Sequence, residues 1–150
     1  MGDFRTLSDS LVTINIKYLT HLVGDMHCPV HIDFPTSRPM KVKEGKTTIK
    51  VHKMWDGRVL DSKHNGLSPQ QMAGELDRYA ATEIAAFQSG TPDDWHNECL
   101  EYSKRAIDMI PANNQVSYET YFNKVIDSAE NRITLAGYRL AAILNSIFDK

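Results

Sequence analysis

The stretch His21-Leu22-Val23-Gly24-Asp25-Met26-His27-Cys28-Pro29-Val30-His31 ends an apolar helical run and then turns away from it. From about Ser10 to His27, Leu11, Ile14, Tyr18 and Leu22, with Val12, Leu19 and Val23, recur at helical spacings, and Ser8 or Ser10 is available as a cap. Apolar residues occupy much of the circumference, which predicts a centrally buried helix. His21 and Asp25 stand four residues apart and project from one face of it. A buried Asp without a partner is costly, and a metal ion or a charged hydrogen-bond partner removes that cost. Pro29 obstructs further regular helix, so His31 leaves on a changed path towards a neighbouring site.

The same His-x-x-x-Asp spacing returns in Val51-His52-Lys53-Met54-Trp55-Asp56. Imidazole and carboxylate together are a usual ligand set for zinc, and the doubled pair suggests more than one ion. His31, His52 and Asp56 make a complete three-ligand set with a fourth position open to water or substrate. The competing reading has one or two of these histidines merely hydrogen-bonded in the core. His21 and Asp25 would contribute to another ion but do not complete a site, and His27 reads equally as a ligand or as an outer partner that orients one. His64 and His96 have no carboxylate at metal spacing and read as ordinary surface residues. Trp55 and Trp95 read as core or interface residues, and an exposed aromatic near a metal could instead stack on a base.

With 150 residues, 41% hydrophobic and 24% charged, the chain has the size and composition of a single soluble domain with a substantial core. A formal charge of −2 argues against a broad electrostatic grip on duplex nucleic acid, but not against single strands or nucleotides held through metal ions. No run is apolar enough for a membrane helix and no signal peptide is read at the start, so the chain is expected to be cytosolic or to follow an export segment. Cys28 and Cys99 are too few for a disulfide scaffold and are expected to be reduced or structural. There is no Gly-x-Ser-x-Gly elbow, glycine-rich phosphate loop or Cys-x-x-Cys pair, which leaves metal-assisted chemistry as the leading enzymatic possibility.

In chain order, Asp33 to Pro39 reads as an exposed loop, and residues 40–51 as a small β-hairpin around Glu44-Gly45-Lys46 that returns His52 towards the first helix. His52 to Leu60 reads as a short helix. Ser68-Pro69 starts a helix expected to run to Gln88 and close at Gly90, and Thr91-Pro92 starts another from Asp93 to Ile110, stopped by Pro111. A last helix from near Ser117 to about Phe148 should bury Ile126, Ile133, Leu140, Ile143, Leu144 and Ile147. The expected class is therefore all-α with one hairpin, in one domain spanning residues 1–150.

The stretch from His21 to His31 resembles the central motif of the zinc-dependent single-strand nucleases and 3′-nucleotidases of fungi, plants and bacteria, distant relatives of bacterial zinc phospholipase C. His52-Lys53-Met54-Trp55-Asp56 is similar to that family's downstream His-x-x-Trp-Asp element, and Ile133 to Asn145 is similar to its closing helix. The resemblance implies a phospholipase C/nuclease-like helical fold with three zinc ions. It implies that His21 and Asp25 bind one ion, that Asp25 bridges to a second, and that His31, His52 and Asp56 hold the third. Asp25 is then the most damaging single residue to lose.

The family's remaining ligands lie well upstream of the central motif, whereas only twenty residues precede His21 and none is histidine. Cys28 stands where the family has glutamine, and the segment from Asp33 to Arg38 replaces an expected Asp-Arg-Gly-Gly-Asn-like run. The chain thus resembles the C-terminal portion of a family member. The function expected is a zinc-dependent phosphodiesterase acting on single-stranded DNA or RNA or on nucleotides, weakly active or inactive alone, with a secreted or periplasmic parent. Two alternatives stay open: a degenerate member with one structural or ligand-binding zinc, and a helical interaction domain that associates with itself or with a missing N-terminal segment.

Overall fold

The computed structural model describes residues 4–110 and 116–149, apart from the side chain of Phe34. A 3₁₀ turn, Phe4–Thr6, precedes α1 (Asp9–His27), α2 (Pro29–Ile32) and α3 (Phe34–Ser37). Strands β1 (Lys41–Glu44) and β2 (Thr47–Lys50) follow, then α4 (Val51–Lys53), a π turn (Met54–Arg58) and α5 (Val59–Lys63) as one continuous helical stretch. The remaining helices are α6 (Pro69–Leu76), α7 (Ala81–Gln88), α8 (Pro92–Asp108) and α9 (Tyr118–Phe148). The fold is mostly helical with one small hairpin, as expected. Pro111 lies outside the described residues.

Local chemistry explains most boundaries. Ser8, Ser68, Thr91 and Ser117 each accept a backbone N–H at a helix start, and Pro69 and Pro92 occupy first helical positions. The hairpin pairs Lys41 with Lys50 and Glu44 with Thr47, and its turn uses Gly45 at φ +59°, a conformation that costs glycine little. Lys43 N–H donates to Val116 O at 2.8 Å, tying the hairpin to the start of α9. The segment from Asp33 to Pro39, expected as a loop, contains the single turn α3, whose buried Ser37 Oγ donates to Val30 O at 2.8 Å.

α9 is the central element, and α1, α5, α6, α7 and β1 all pack on it. Its buried side runs through Tyr121, Val125, Ile126, Ala129, Leu135 and Ala136, and it also buries Glu130, Arg132 and Arg139. Ile133, expected on that side, is exposed, and Leu140, Ile143, Leu144 and Ile147 are half-buried. The core joins this face to Val30, Val42, Ile49, Val51, Met54, Trp55, Val59, Ala106 and Ile110. Within it Trp55 Nε1–H donates to Tyr121 Oη at 3.0 Å, and Tyr121 O–H donates to Ala106 O at 3.1 Å.

Two further expectations are corrected. α1 is not the buried centre: only Val23 and His27 are buried, while Leu11, Ile14, Tyr18 and Leu22 form an exposed apolar stripe, with Tyr18 63% exposed. Val12, Ile16 and Leu19 sit on the half-covered side with Leu144 and Ile147, so of a helix apolar over much of its circumference one face is packed and another is open. The helix begun at Ser68 does not reach Gln88 but breaks between Leu76 and Ala81. Long-range contacts override the pattern there: Tyr138 O–H donates to Asp77, and Tyr79 packs edge-on against Phe87 with centroids 4.9 Å apart. Ala80 N–H donates to Glu83 Oε2 at 2.9 Å and opens the second helix.

Two guanidinium groups of α9 share one carboxylate. Arg132 and Arg139 both pair with Glu98 of α8, the latter at 2.5 Å. Arg139 also donates to Phe87 O at 2.9 Å, meets His27 Nε2 at 2.8 Å and lies 5.1 Å from the centroid of Trp95. His27 donates Nδ1–H to Val23 O at 2.7 Å, so its Nε2 accepts from Arg139. Burial, opposed by that backbone hydrogen bond, keeps His27 neutral and lowers its pKa to about 4.

Burial of Glu98 acts to raise its pKa, but the hydrogen bonds from Arg139 and Arg132 prevail and hold the carboxyl below its usual 4.5. A carboxylate whose folded pKa is depressed contributes stability that is present above its unfolded value and is lost as pH falls through the folded one. Glu98→Gln should therefore lower stability at pH 7 by about 3 kcal/mol, because two buried cations lose their counter-charge. It should also flatten the loss of stability below about pH 4.5. Urea unfolding of both proteins across pH 3–8 measures both effects, and parallel curves of equal height would refute the assignment.

Candidate metal centre

Three elements deliver the centre. The last turns of α1 present His21 and Asp25. Cys28 then adopts an extended conformation (φ −89°, ψ 112°), and Pro29 opens α2, which carries His31 at a new angle. The hairpin returns the chain to α4, where Val51 N–H donates to Met40 O at 3.0 Å, and His52 and Asp56 follow at the entrance to the π turn. The π turn closes with Val59 N–H bonded to Met54 O, and such widened turns recur at functional sites. Trp55, buried and bonded to Tyr121, anchors the backbone beside Asp56.

His31 is the hub. Its Nε2 lies 3.0 Å from Asp56 Oδ1, and its Nδ1 lies 3.1 Å from Asp25 Oδ1. His52 Nε2 lies 3.5 Å from Asp56 Oδ2, and the His31 and His52 rings stack with centroids 4.7 Å apart. His21 Nε2 lies 3.3 Å from Asp25 Oδ2. Ligand atoms of His31, His52 and Asp56 all fall within 4.8 Å of one another, and no other trio of this kind occurs among the described residues. His21 and Asp25 adjoin that trio through His31 without completing a second one.

The donor chemistry fits zinc. Two imidazoles and one carboxylate are a usual zinc donor set, and His31 Nε2 and His52 Nε2 lie 3.0 and 3.5 Å from the two oxygens of Asp56. A neutral imidazole donates from one nitrogen only. His31, with a carboxylate at each nitrogen, can donate Nδ1–H to Asp25 and offer the Nε2 lone pair to a cation shared with Asp56. That is the arrangement in which an outer carboxylate fixes the tautomer of a ligating histidine.

The other histidines are accounted for. His27 is held between Val23 O and Arg139 and supports the end of α1. His64 is not a surface residue: it is buried, with Nδ1 3.1 Å from Glu75 Oε2 and Nε2 2.9 Å from Glu130 Oε1. Its partners, Glu75 and Glu130, stand 11 and 66 positions away in the chain, so local sequence gives no sign of its burial. His96 is exposed, as expected, but lines a cavity of about 430 Å³ together with Asp25, His31 and His52. A smaller cavity of about 220 Å³ is bounded by Asp25, His31, Asp56 and Cys28. Both cysteines are free thiols, and burial pushes Cys28 up to about 12 and Cys99 up to about 11, so they remain protonated at neutral pH. Trp55 and Trp95 are both core residues.

The family described as S1/P1 Nuclease matches residues 5–149. The chain is 22% identical over 170 residues to Endonuclease 4 of Arabidopsis thaliana, an alignment covering 95% of this chain and 54% of that protein. It is 24% identical over 163 residues to Endonuclease 3 of the same plant, with 95% and 55% covered. The chain thus spans about half the length of the curated relatives it matches. No solved structure matches. A match over nearly the whole chain, on a helical scaffold that gathers both His-x-x-x-Asp pairs around His31, means that the chain belongs to the S1/P1 nuclease family.

Proposed function

We propose that this chain is the zinc-binding portion of a phosphodiesterase that acts on single-stranded nucleic acid or nucleotides. The convergence of His31, His52 and Asp56 within 4.8 Å, with Asp25 against the far nitrogen of His31, is the observation that carries this reading. His31, His52 and Asp56 hold one zinc ion, and Asp25 with His21 contributes to a neighbouring position. Zinc held there would supply Lewis acidity towards a phosphoryl oxygen and activation of a water for attack. Asp25 orients His31 through its Nδ1–H and presents its second oxygen to His21, so its loss disturbs both positions at once.

The names of the relatives, endonucleases, support the nuclease reading, and the cavities beside the ligands offer room for a phosphate ester. Native mass spectrometry of the zinc-supplemented chain should find bound zinc. His52→Ala should lose one ion, with an affinity loss exceeding the roughly 10–100-fold cost of removing an outer partner alone. Chelation should lower the Tm of the wild type and leave that variant nearly unmoved. A wild type that takes up no zinc would overturn the reading.

The exposed stripe of α1 favours a second reading, in which the chain functions by association. Sedimentation velocity at rising concentration should then show assembly, and Tyr18→Glu should abolish it. Monomers of both proteins throughout would refute it.

A further inference from the structure

The cavity of about 430 Å³ has a wall that the proposed ligands do not explain. Asp25, His31 and His52 line it from the ligand side, and Leu22, Met26 and His96 line it as well. His96 comes from α8, an element that contributes none of the trio His31, His52 and Asp56.

Its placement is strongly constrained. Trp95, the residue before it, is buried, donates Nε1–H to Ser89 O at 2.7 Å and packs near the His27 ring with centroids 6.3 Å apart. Glu98, two residues after it, is held by Arg132 and Arg139 of α9. The backbone around His96 is thus pinned on both sides in sequence, while the imidazole remains exposed at the cavity. An imidazole N–H donates a hydrogen bond, and phosphate oxygens accept one. A phosphate entering the cavity meets the metal-ligand side chains and the imidazole of His96 on the same lining, with the apolar surface of Leu22 and Met26 beside them.

We propose that His96 is a substrate-contact residue that donates a hydrogen bond to a non-bridging phosphate oxygen of a nucleotide in this cavity, with Leu22 and Met26 packed against the nucleoside. The proposal rests on the phosphodiesterase reading above and assigns its substrate a second anchor.

The test titrates thymidine 5′-monophosphate into the zinc-supplemented full chain while histidine imidazole resonances are followed by NMR, with thymidine as the uncharged control. Zinc is counted on the same samples by native mass spectrometry. The nucleotide should shift the His96 resonance and thymidine should not. His96→Ala should weaken nucleotide binding about tenfold, the scale of one hydrogen bond to a charged group. His96→Gln, which keeps an N–H donor, should recover part of the loss, and the zinc count should stay unchanged in both variants.

Equal nucleotide affinity in the wild type and His96→Ala would overturn the contact. Loss of zinc from His96→Ala would also overturn it, by making His96 a metal ligand. Nucleotide binding that depends on His96 in a chain without zinc would uphold the contact while the zinc reading fails. A zinc-loaded chain with no nucleotide binding would do the reverse.

Discussion

Arg139 is the side chain on which the arrangement of the helices most depends. It reaches the end of α1 through His27, the end of α7 through Phe87 O, and α8 through Glu98 and the face of Trp95, all from the middle of α9. A buried guanidinium is expensive unless its donors are used, and here they are spent on three different elements. The geometry is therefore selective: a helix shifted along α9 would leave a cation without partners. Because His27 lies two residues beyond Asp25 and immediately precedes the turn at Cys28-Pro29, this network also sets where α1 ends and how α2 leaves it. The position of His31 between the two carboxylates follows from that exit.

The other half of the centre is held by a different device. Tyr121 is fully buried, and its hydroxyl accepts from Trp55 and donates to the Ala106 carbonyl, joining the π turn, α8 and α9 at one oxygen. Asp56 is the next residue after Trp55, so its carboxylate sits beside a rigid anchor although it is itself exposed. Two buried polar networks, both rooted on α9, thus fix the two His-x-x-x-Asp segments, which are distant in sequence. Without either network the two His-x-x-x-Asp pairs remain isolated helix features.

What could be read from the residues beforehand follows the range of the interactions concerned. Caps at Ser68, Thr91 and Ser117, the hairpin around Gly45, and both His-x-x-x-Asp pairs are local features, and each is where its spacing places it. The break at Asp77, the burial of His64 and the position of His96 depend on residues tens of positions away. Tyr138 is 61 positions from Asp77, and Glu130 is 66 from His64. Local propensity carries no trace of such partners. The exposure of α1 has another cause: apolar residues over much of a helix's circumference predict that those faces are covered, and in this chain the face of Leu11, Ile14, Tyr18 and Leu22 is not.

That open face leads to the less finished half of the centre. Leu22 sits between His21 and Asp25, so the stripe runs into the ligand pair, and the His21 side chain is 69% exposed. His31 is already ordered by a carboxylate on each ring nitrogen and by its stack on His52. Fixing an exposed side chain such as His21 more tightly costs up to about 1 kcal/mol of rotamer entropy, whereas the trio has met that cost on folding. A cation should therefore be held more firmly at His31, His52 and Asp56 than at His21 and Asp25. Covering the apolar face of α1 would restrain His21 as well, which makes the strength of the second position depend on whatever packs against the first helix.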